Sequence, residues 1–331
     1  MSAPEMIALA LLSFLLSLLL SRIIAEKIRS PRFMGLDVHK PDRPSIPKVG
    51  GIAFTAGYSL AMLVHWMLVG GTTELVLLVS PLAAAAIGFL EDLRELNPIL
   101  KPLLLLLPGV PIILLSAYNP YPFIPLIGGI RITLIYPLLV LAAYTVVANA
   151  VNSVDVLNGS LALSVLPVLL LLAGISWLEG ALSPMLACLI LSAALLGFLR
   201  YNWYPAKIFS GNVGSNLVAA VITTVAITAR VEVVALVALL PHILNEFLII
   251  VSMGGLKSGK SLTARPIRVV SGMIVSSQRI DDPITFVRLI TSQRPMGEAA
   301  VSKSMALLSA YSSALALLTY LLGEVTLSWA R

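Results

Sequence analysis

The chain has 331 residues, 58% of them hydrophobic and only 11% charged, with a formal net charge of +6 and a mean hydropathy of +0.98. This composition excludes a soluble globular protein, which needs far more polar surface, and makes lipid the solvent for most of the chain. A single cysteine, Cys188, excludes an intrachain disulfide framework.

In chain order, apolar runs fall near 5–21, 51–70, 74–90, 99–117, 133–149, 160–177, 183–199, 214–229, 232–253 and 301–322. Helix is the expected state of each, because lipid cannot satisfy the backbone of an open strand or loop. The fold class is therefore an all-α polytopic membrane protein with about ten transmembrane helices. Residues 1–331 are expected to form one integral-membrane domain, with 254–300 as an inserted cytoplasmic loop. No basic residue precedes the first run, whereas Arg22, Lys27, Arg29 and Arg32 follow it. That pattern predicts a retained anchor with its N-terminus outside, not a cleaved signal.

Loops after the odd-numbered runs hold 19 of the 22 lysines and arginines; only Arg131, Arg230 and Arg331 fall on the other side. The asymmetry assigns that face to the cytoplasm and would also draw anionic headgroups. It does not indicate nucleic acid, since no interleaved aromatic residues accompany the charge.

The cytoplasmic ends of the runs also carry the polar motifs. The first loop, GLDVHKPDRPSIPKVGG (35–51), contains His39 and ends in a glycine pair. In GFLEDLRELNPILK (88–101), Glu91 and Asp92 are adjacent acids, suited to a divalent cation, to a base, or simply to a solvated helix end. In NAVNSVDVLNG (149–159), Asn149, Asn152 and Asp155 recur every third residue and so stack on one helix face. In IFSGNVGSNL (208–217), Gly211 and Gly214 permit close backbone approach, and Asn212 and Ser215 bring polar groups; a helix cap is the plainer alternative. Arg265 and Arg268 could clamp a pyrophosphate, although a basic membrane loop would hold arginines anyway. Around Ser271-Gly272 the β-branched runs of 265–280 predict a small β-hairpin before the last helix. His242, Asn245 and Glu246 lie inside the ninth run, where ionisable groups would suit a transporter. A transporter, however, should gather such groups near the bilayer midplane in repeated halves, and no repeat is visible.

Taken in order, these segments resemble the polyprenyl-phosphate N-acetylhexosamine-1-phosphate transferase family. The match runs through Asp37, Lys40 and Pro41, the I-P-x-x-G-G of 46–51, the acids at 91–92 with Lys101, the N-A-V-N of 149–152 with Asn158-Gly159, and F-x-G-x-x-G-S at 209–215. LPHILNEF (240–247) and RPMGEAAVSK (294–303) are similar to late segments of the eukaryotic branch, which acts on dolichyl phosphate; an archaeal source would suit that. The resemblance implies transfer of a UDP-activated N-acetylhexosamine 1-phosphate to a polyprenyl or dolichyl phosphate, with release of UMP and dependence on Mg²⁺ or Mn²⁺. It implies a catalytic role for Asp92 with Glu91 and Lys101, and a place at the metal for Asn152 and Asn212. Substrate contacts are implied for Asp37, Lys40, Asn149, Asp155, Asn158, Arg265 and Arg268. Expected partners are the UDP-sugar, the lipid phosphate, membrane lipids and a second copy of the chain. Two positions depart from the family pattern: Glu91 stands where an aspartate is usual, and Asn212 replaces the aspartate of G-D-x-G-S. A family member that has lost catalysis is therefore the second alternative.

Overall fold

The computed structural model describes residues 1–94, 96–97, 99–124, 127–255 and 265–329. Among the described residues, eight helices are long and apolar enough to cross a membrane. They are α1 (Ala3–Lys27), α2 (Gly51–Val69), α3 (Thr72–Leu93), α6 (Tyr136–Val154), α7 (Ser160–Leu178), α8 (Leu182–Asn202), α9 (Gly211–Thr228) and α13 (Glu298–Trp329). The chain is an all-α polytopic membrane protein.

Two of the ten runs take a different form. Residues 99–117 make α4 (Leu100–Leu104), a 3₁₀ turn and α5 (Val110–Leu114). Pro102, Pro108 and Pro111 interrupt the run, and each removes a backbone donor. Short as it is, this segment carries the chain from one end of the bundle to the other. Lys101 meets Glu91 at the end of α3, whereas Ile112 packs with Val76 near its start and with Tyr136 at the start of α6. The ninth run is a pair, α10 (Glu232–Ala238) and α11 (Leu240–Met253), bent by 64°. Pro241 sits at the start of α11, where the ladder is already broken.

The core centres on α9, which is buried without interruption from Val213 to Ile227. Elsewhere the helices approach through small residues and backbone contacts, as expected where lipid gives no hydrophobic drive between helices. On α1, the Ser13 and Ser17 hydroxyls donate to the Ile190 and Ala194 carbonyls of α8 at 3.2 and 2.7 Å. The closest approach brings α3 against the start of α9: a Cβ on Gly88 would lie 2.2 Å from the Asn212 carbonyl oxygen. Gly88→Ala should therefore prise these helices apart at a cost of about 3 kcal/mol or more. The measurement is yield and thermal melting of the detergent-solubilised protein; a melting temperature equal to wild type would refute the close contact.

The expected hairpin is present, with β5 (Ile267–Val270) antiparallel to β6 (Met273–Ser276). Ser271 and Gly272 both have positive φ, 49° and 74°, as a two-residue primed turn requires. Ile274 joins Val154, Leu157, Val287, Val301 and Met305 in an apolar cluster. The inserted segment is thus seated on the end of α6 and the head of α13. The first loop adds a pair not foreseen, β1 (Met34–Leu36) against β2 (Ser45–Pro47).

Candidate active site

Three helix ends meet at one end of the bundle. Helix α9 begins with backbone N–H groups that have no partner within the helix. Asp92, buried at the end of α3, supplies the acceptors. Its Oδ1 accepts from the backbone N–H and the side-chain amide of Asn212 at 2.9 and 3.0 Å, and its Oδ2 accepts from the Val213 N–H at 3.0 Å. A carboxylate at a helix N-terminus is favoured by the helix dipole as well. The third end is that of α6, where Asn152 donates to Asn212 Oδ1 at 2.7 Å and to Ser215 Oγ at 2.9 Å. Just past α6, Asp155 accepts from the Ser210 hydroxyl. Burial pushes the Asp155 carboxyl up to about 7, against the Ser210 hydrogen bond, and the charge of Asp92 pushes it further the same way. Lys48 is close enough to act electrostatically on Asp92.

The adjacent acids read from the sequence do different things. Consecutive residues on a helix point about 100° apart, so Asp92 faces α9 while Glu91 pairs with Lys101 across 2.9 Å. Asn149 turns back on its own helix and donates to the Thr145 carbonyl at 2.8 Å.

A second polar cluster adjoins the first through the loop after α6. Asn158 is buried and shares its side-chain oxygen between Lys40 Nζ (2.6 Å) and the Ala206 N–H (2.9 Å). Its amide donates to Asp37 at 3.3 Å, and its backbone N–H to Glu298 Oε1 at 2.7 Å. Lys40 also pairs with Asp37 and lies 5.1 Å from the centre of the Tyr204 ring. Asn202 fixes this loop by accepting from the Gly159 N–H at 3.1 Å and donating to the Ile208 carbonyl at 2.8 Å.

Of the predicted residues, the structure thus brings Asp92, Asn152, Asp155 and Asn212 into one knot and Asp37, Lys40 and Asn158 into its neighbour, with Glu91 paired to Lys101. Arg265 and Arg268 are exposed, the latter on β5, and neither joins a knot residue among the described residues. Ser210, Asn202, Tyr204 and Glu298 were not singled out by the sequence. Glu298 lay inside a quoted segment and opens α13, where an acid is favoured. Nothing in the sequence distinguished Asn202.

Fold and site together describe an integral membrane enzyme whose carboxylates, carboxamides and lysines converge at one end of the bundle, the makings of a phosphoryl-transfer centre. Residues 74–230 match the family model described as glycosyl transferase family 4. A protein of Saccharolobus solfataricus, provisionally named a UDP-N-acetylglucosamine–dolichyl-phosphate N-acetylglucosaminephosphotransferase, is 30% identical over 72% of this chain and 76% of its own length. A protein of the same name from Sulfolobus acidocaldarius is 28% identical over 71% and 74%. The phospho-N-acetylmuramoyl-pentapeptide-transferase of Clostridium botulinum is 27% identical over 77% and 83%. The chain belongs to glycosyl transferase family 4 and is a phosphoglycosyltransferase.

Proposed function

We propose that the chain transfers N-acetylhexosamine 1-phosphate, with N-acetylglucosamine 1-phosphate as first candidate, from its UDP conjugate to a dolichyl-type polyprenyl phosphate. The observation that carries this reading is the convergence of three separate motif segments on the Asp92–Asn212–Asn152 knot. The names of the archaeal relatives support the donor and acceptor. In the step proposed, an oxygen of the lipid phosphate attacks the β-phosphorus of the UDP-sugar. A new P–O–P bond forms, the old one breaks, and UMP leaves with the electron pair. The product would open assembly of a lipid-linked glycan. The charge asymmetry supports placing this end of the bundle in the cytoplasm, where nucleotide sugars are made.

Such a transfer depends on positioning and charge neutralisation more than on covalent help from the protein. Lys101, held by Glu91, is placed to meet phosphate oxygens at the end of α3. Arg268 on the hairpin and Arg265 just before it, both exposed and outside the knot, are suited to the pyrophosphate. Lys40, Asp37 and Asn158 are proposed to face the nucleotide, with the Tyr204 ring beside them; Asn149 lies one turn deeper, toward the lipid. Asp92 orients the start of α9, whose N–H groups it holds.

The knot fits a divalent cation. Asp92, Asp155, Asn152 and Asn212 are an oxygen-rich set with two carboxylates among them, the chemistry that suits a hard divalent cation. Mg²⁺ or Mn²⁺ bound by these residues would offset the charge of the pyrophosphate and of the departing UMP. Asp155 is neutral below its shifted pKa and charged above it. Cation affinity should accordingly rise as pH goes from 6 to 8, by up to about tenfold per unit on the acid side, and level off beyond. Mn²⁺ titrations at three pH values would show this, and Asp155→Asn should flatten the profile; a profile unchanged by that substitution would remove Asp155 from the site.

The deciding experiment supplies the purified protein with Mg²⁺, a polyprenyl phosphate and radiolabelled UDP-N-acetylglucosamine. Labelled lipid and UMP in equal amounts are expected. Nucleotide binding without turnover on any UDP-amino sugar would overturn the proposal and favour a member that has lost catalysis.

A further inference from the structure

Around Asp37 lies an unfilled demand that involves His39 and Glu298, two residues the transfer reading does not use. Asp37 and Glu298 are 1% and 4% exposed. Each has one oxygen held by a donor and one left without a hydrogen-bond partner. Asp37 Oδ2 takes Lys40 while Oδ1 has none, and Glu298 Oε1 takes the Asn158 N–H while Oε2 has none. The nearest cation to Glu298 Oε2 is Lys40 Nζ at 3.9 Å, beyond hydrogen-bond reach. One lysine therefore faces two buried carboxylates, which leaves a negative charge that the interior does not tolerate uncompensated. His39 completes the group. A carboxylate oxygen of Asp37, one of Glu298 and a ring nitrogen of His39 all lie within 4.8 Å of one another.

We propose that Asp37, His39 and Glu298 form a second divalent-cation site, separate from the Asp92 knot, that latches the first loop to the head of α13. Two oxygens and one imidazole nitrogen suit a borderline transition ion of the Zn²⁺ or Mn²⁺ class better than Mg²⁺. Around a tetrahedral ion with bonds of about 2.1 Å, donor atoms lie about 3.4 Å apart, so the three donors close by up to about 1.4 Å and a water takes the fourth position. His39, half-buried on the loop, is the group free to make that movement. The hydrogen bonds from Lys40 and the Asn158 backbone each hold one oxygen of a carboxylate, as outer partners of metal ligands do. Lys40 stays positive beside the ion, so moderate affinity is expected, in the micromolar range. The latch would link the loop bearing Asp37 and Lys40 to the helix that carries the hairpin insertion.

The inference does not rest on the transfer reading, since its test needs no sugar nucleotide. Purified protein is dialysed against micromolar Zn²⁺ with Mg²⁺ kept in large excess, bound zinc is counted, and Co²⁺ substitution is followed by visible absorption. One ion per chain is expected. His39→Ala and Glu298→Gln should each weaken it at least tenfold, whereas Asp92→Asn should leave it in place. No ion bound at micromolar Zn²⁺ would overturn the site and leave the two free oxygens to hydroxyls of a bound ligand. Binding that survives both variants, or that disappears in folded Asp92→Asn, would overturn it equally.

Discussion

Asp92→Ala should reduce sugar-phosphate transfer by about a thousandfold or more, the largest loss expected from any single substitution in the chain. The carboxylate receives two backbone N–H groups of α9 and the Asn212 amide. Removing it leaves these donors unsatisfied at about 1–3 kcal/mol apiece and frees the helix end that the Asn212 and Asn152 side chains depend on. Because the alanine variant is also destabilised, the informative partner is Asp92→Asn. It keeps the volume, loses the charge, and should still bind nucleotide at the neighbouring cluster. Transfer by Asp92→Asn within tenfold of wild type would end the assignment. Glu91→Gln, which weakens the hold on Lys101, should cost about tenfold; an equal loss in both variants would mean that the two acids act as one unit after all.

The second large effect concerns Asn212. Its amide donates to Asp92 Oδ1 at 3.0 Å, and its oxygen accepts from Asn152 at 2.7 Å. The knot is therefore closed even without a cation, and the wild-type protein should lose only a little of its melting temperature in EDTA. Asn212→Asp sets a second carboxylate against the first at that distance, a repulsion of about 5 kcal/mol before relaxation at an effective dielectric constant near 20. A divalent cation relieves it. Cation affinity should rise about 10–100-fold, the variant should melt earlier in EDTA and recover with Mg²⁺, and transfer should increase at low Mg²⁺. Calorimetric titration and melting curves measure this, and an unchanged cation affinity would show that position 212 does not face the metal. If wild type proves inert and this variant active, the asparagine is the reason for the lost catalysis.

Much of this site was readable before the fold was known, for an identifiable reason. Positions 149, 152 and 155 repeat at a helical interval, and 152 and 155 do share a face. The third, Asn149, satisfies itself on the Thr145 carbonyl, a local bond that competes with any ligand and that spacing cannot reveal. Glu91 and Asp92 are neighbours in sequence but not in direction, and only the packing of α3 on α9 decided which acid reached the N–H groups. Arg265 and Arg268 were read as a pair from their spacing; both are exposed, Arg268 on β5 and Arg265 just before it, and they lie outside both polar knots. Ser210 and Glu298 needed the tertiary structure because each acts through a partner 55 or 140 residues away.

By itself, the sequence determined that the chain lives in lipid, that its polar motifs share one end, and what class of chemistry those motifs resemble. Hydropathy and charge are summed along the chain, so they need no partner to be read. The tertiary structure decided how the helices meet: a proline-broken segment at 99–117 that still carries the chain across, a bent pair in place of a ninth straight span, and glycines that let α3 touch the start of α9. It also decided that Asp92 holds a helix rather than standing beside Glu91, and that a second cluster of buried carboxylates forms around Asn158. Those outcomes depend on which faces pack and on which donors are left without acceptors. Both are set by contacts between residues far apart in the chain.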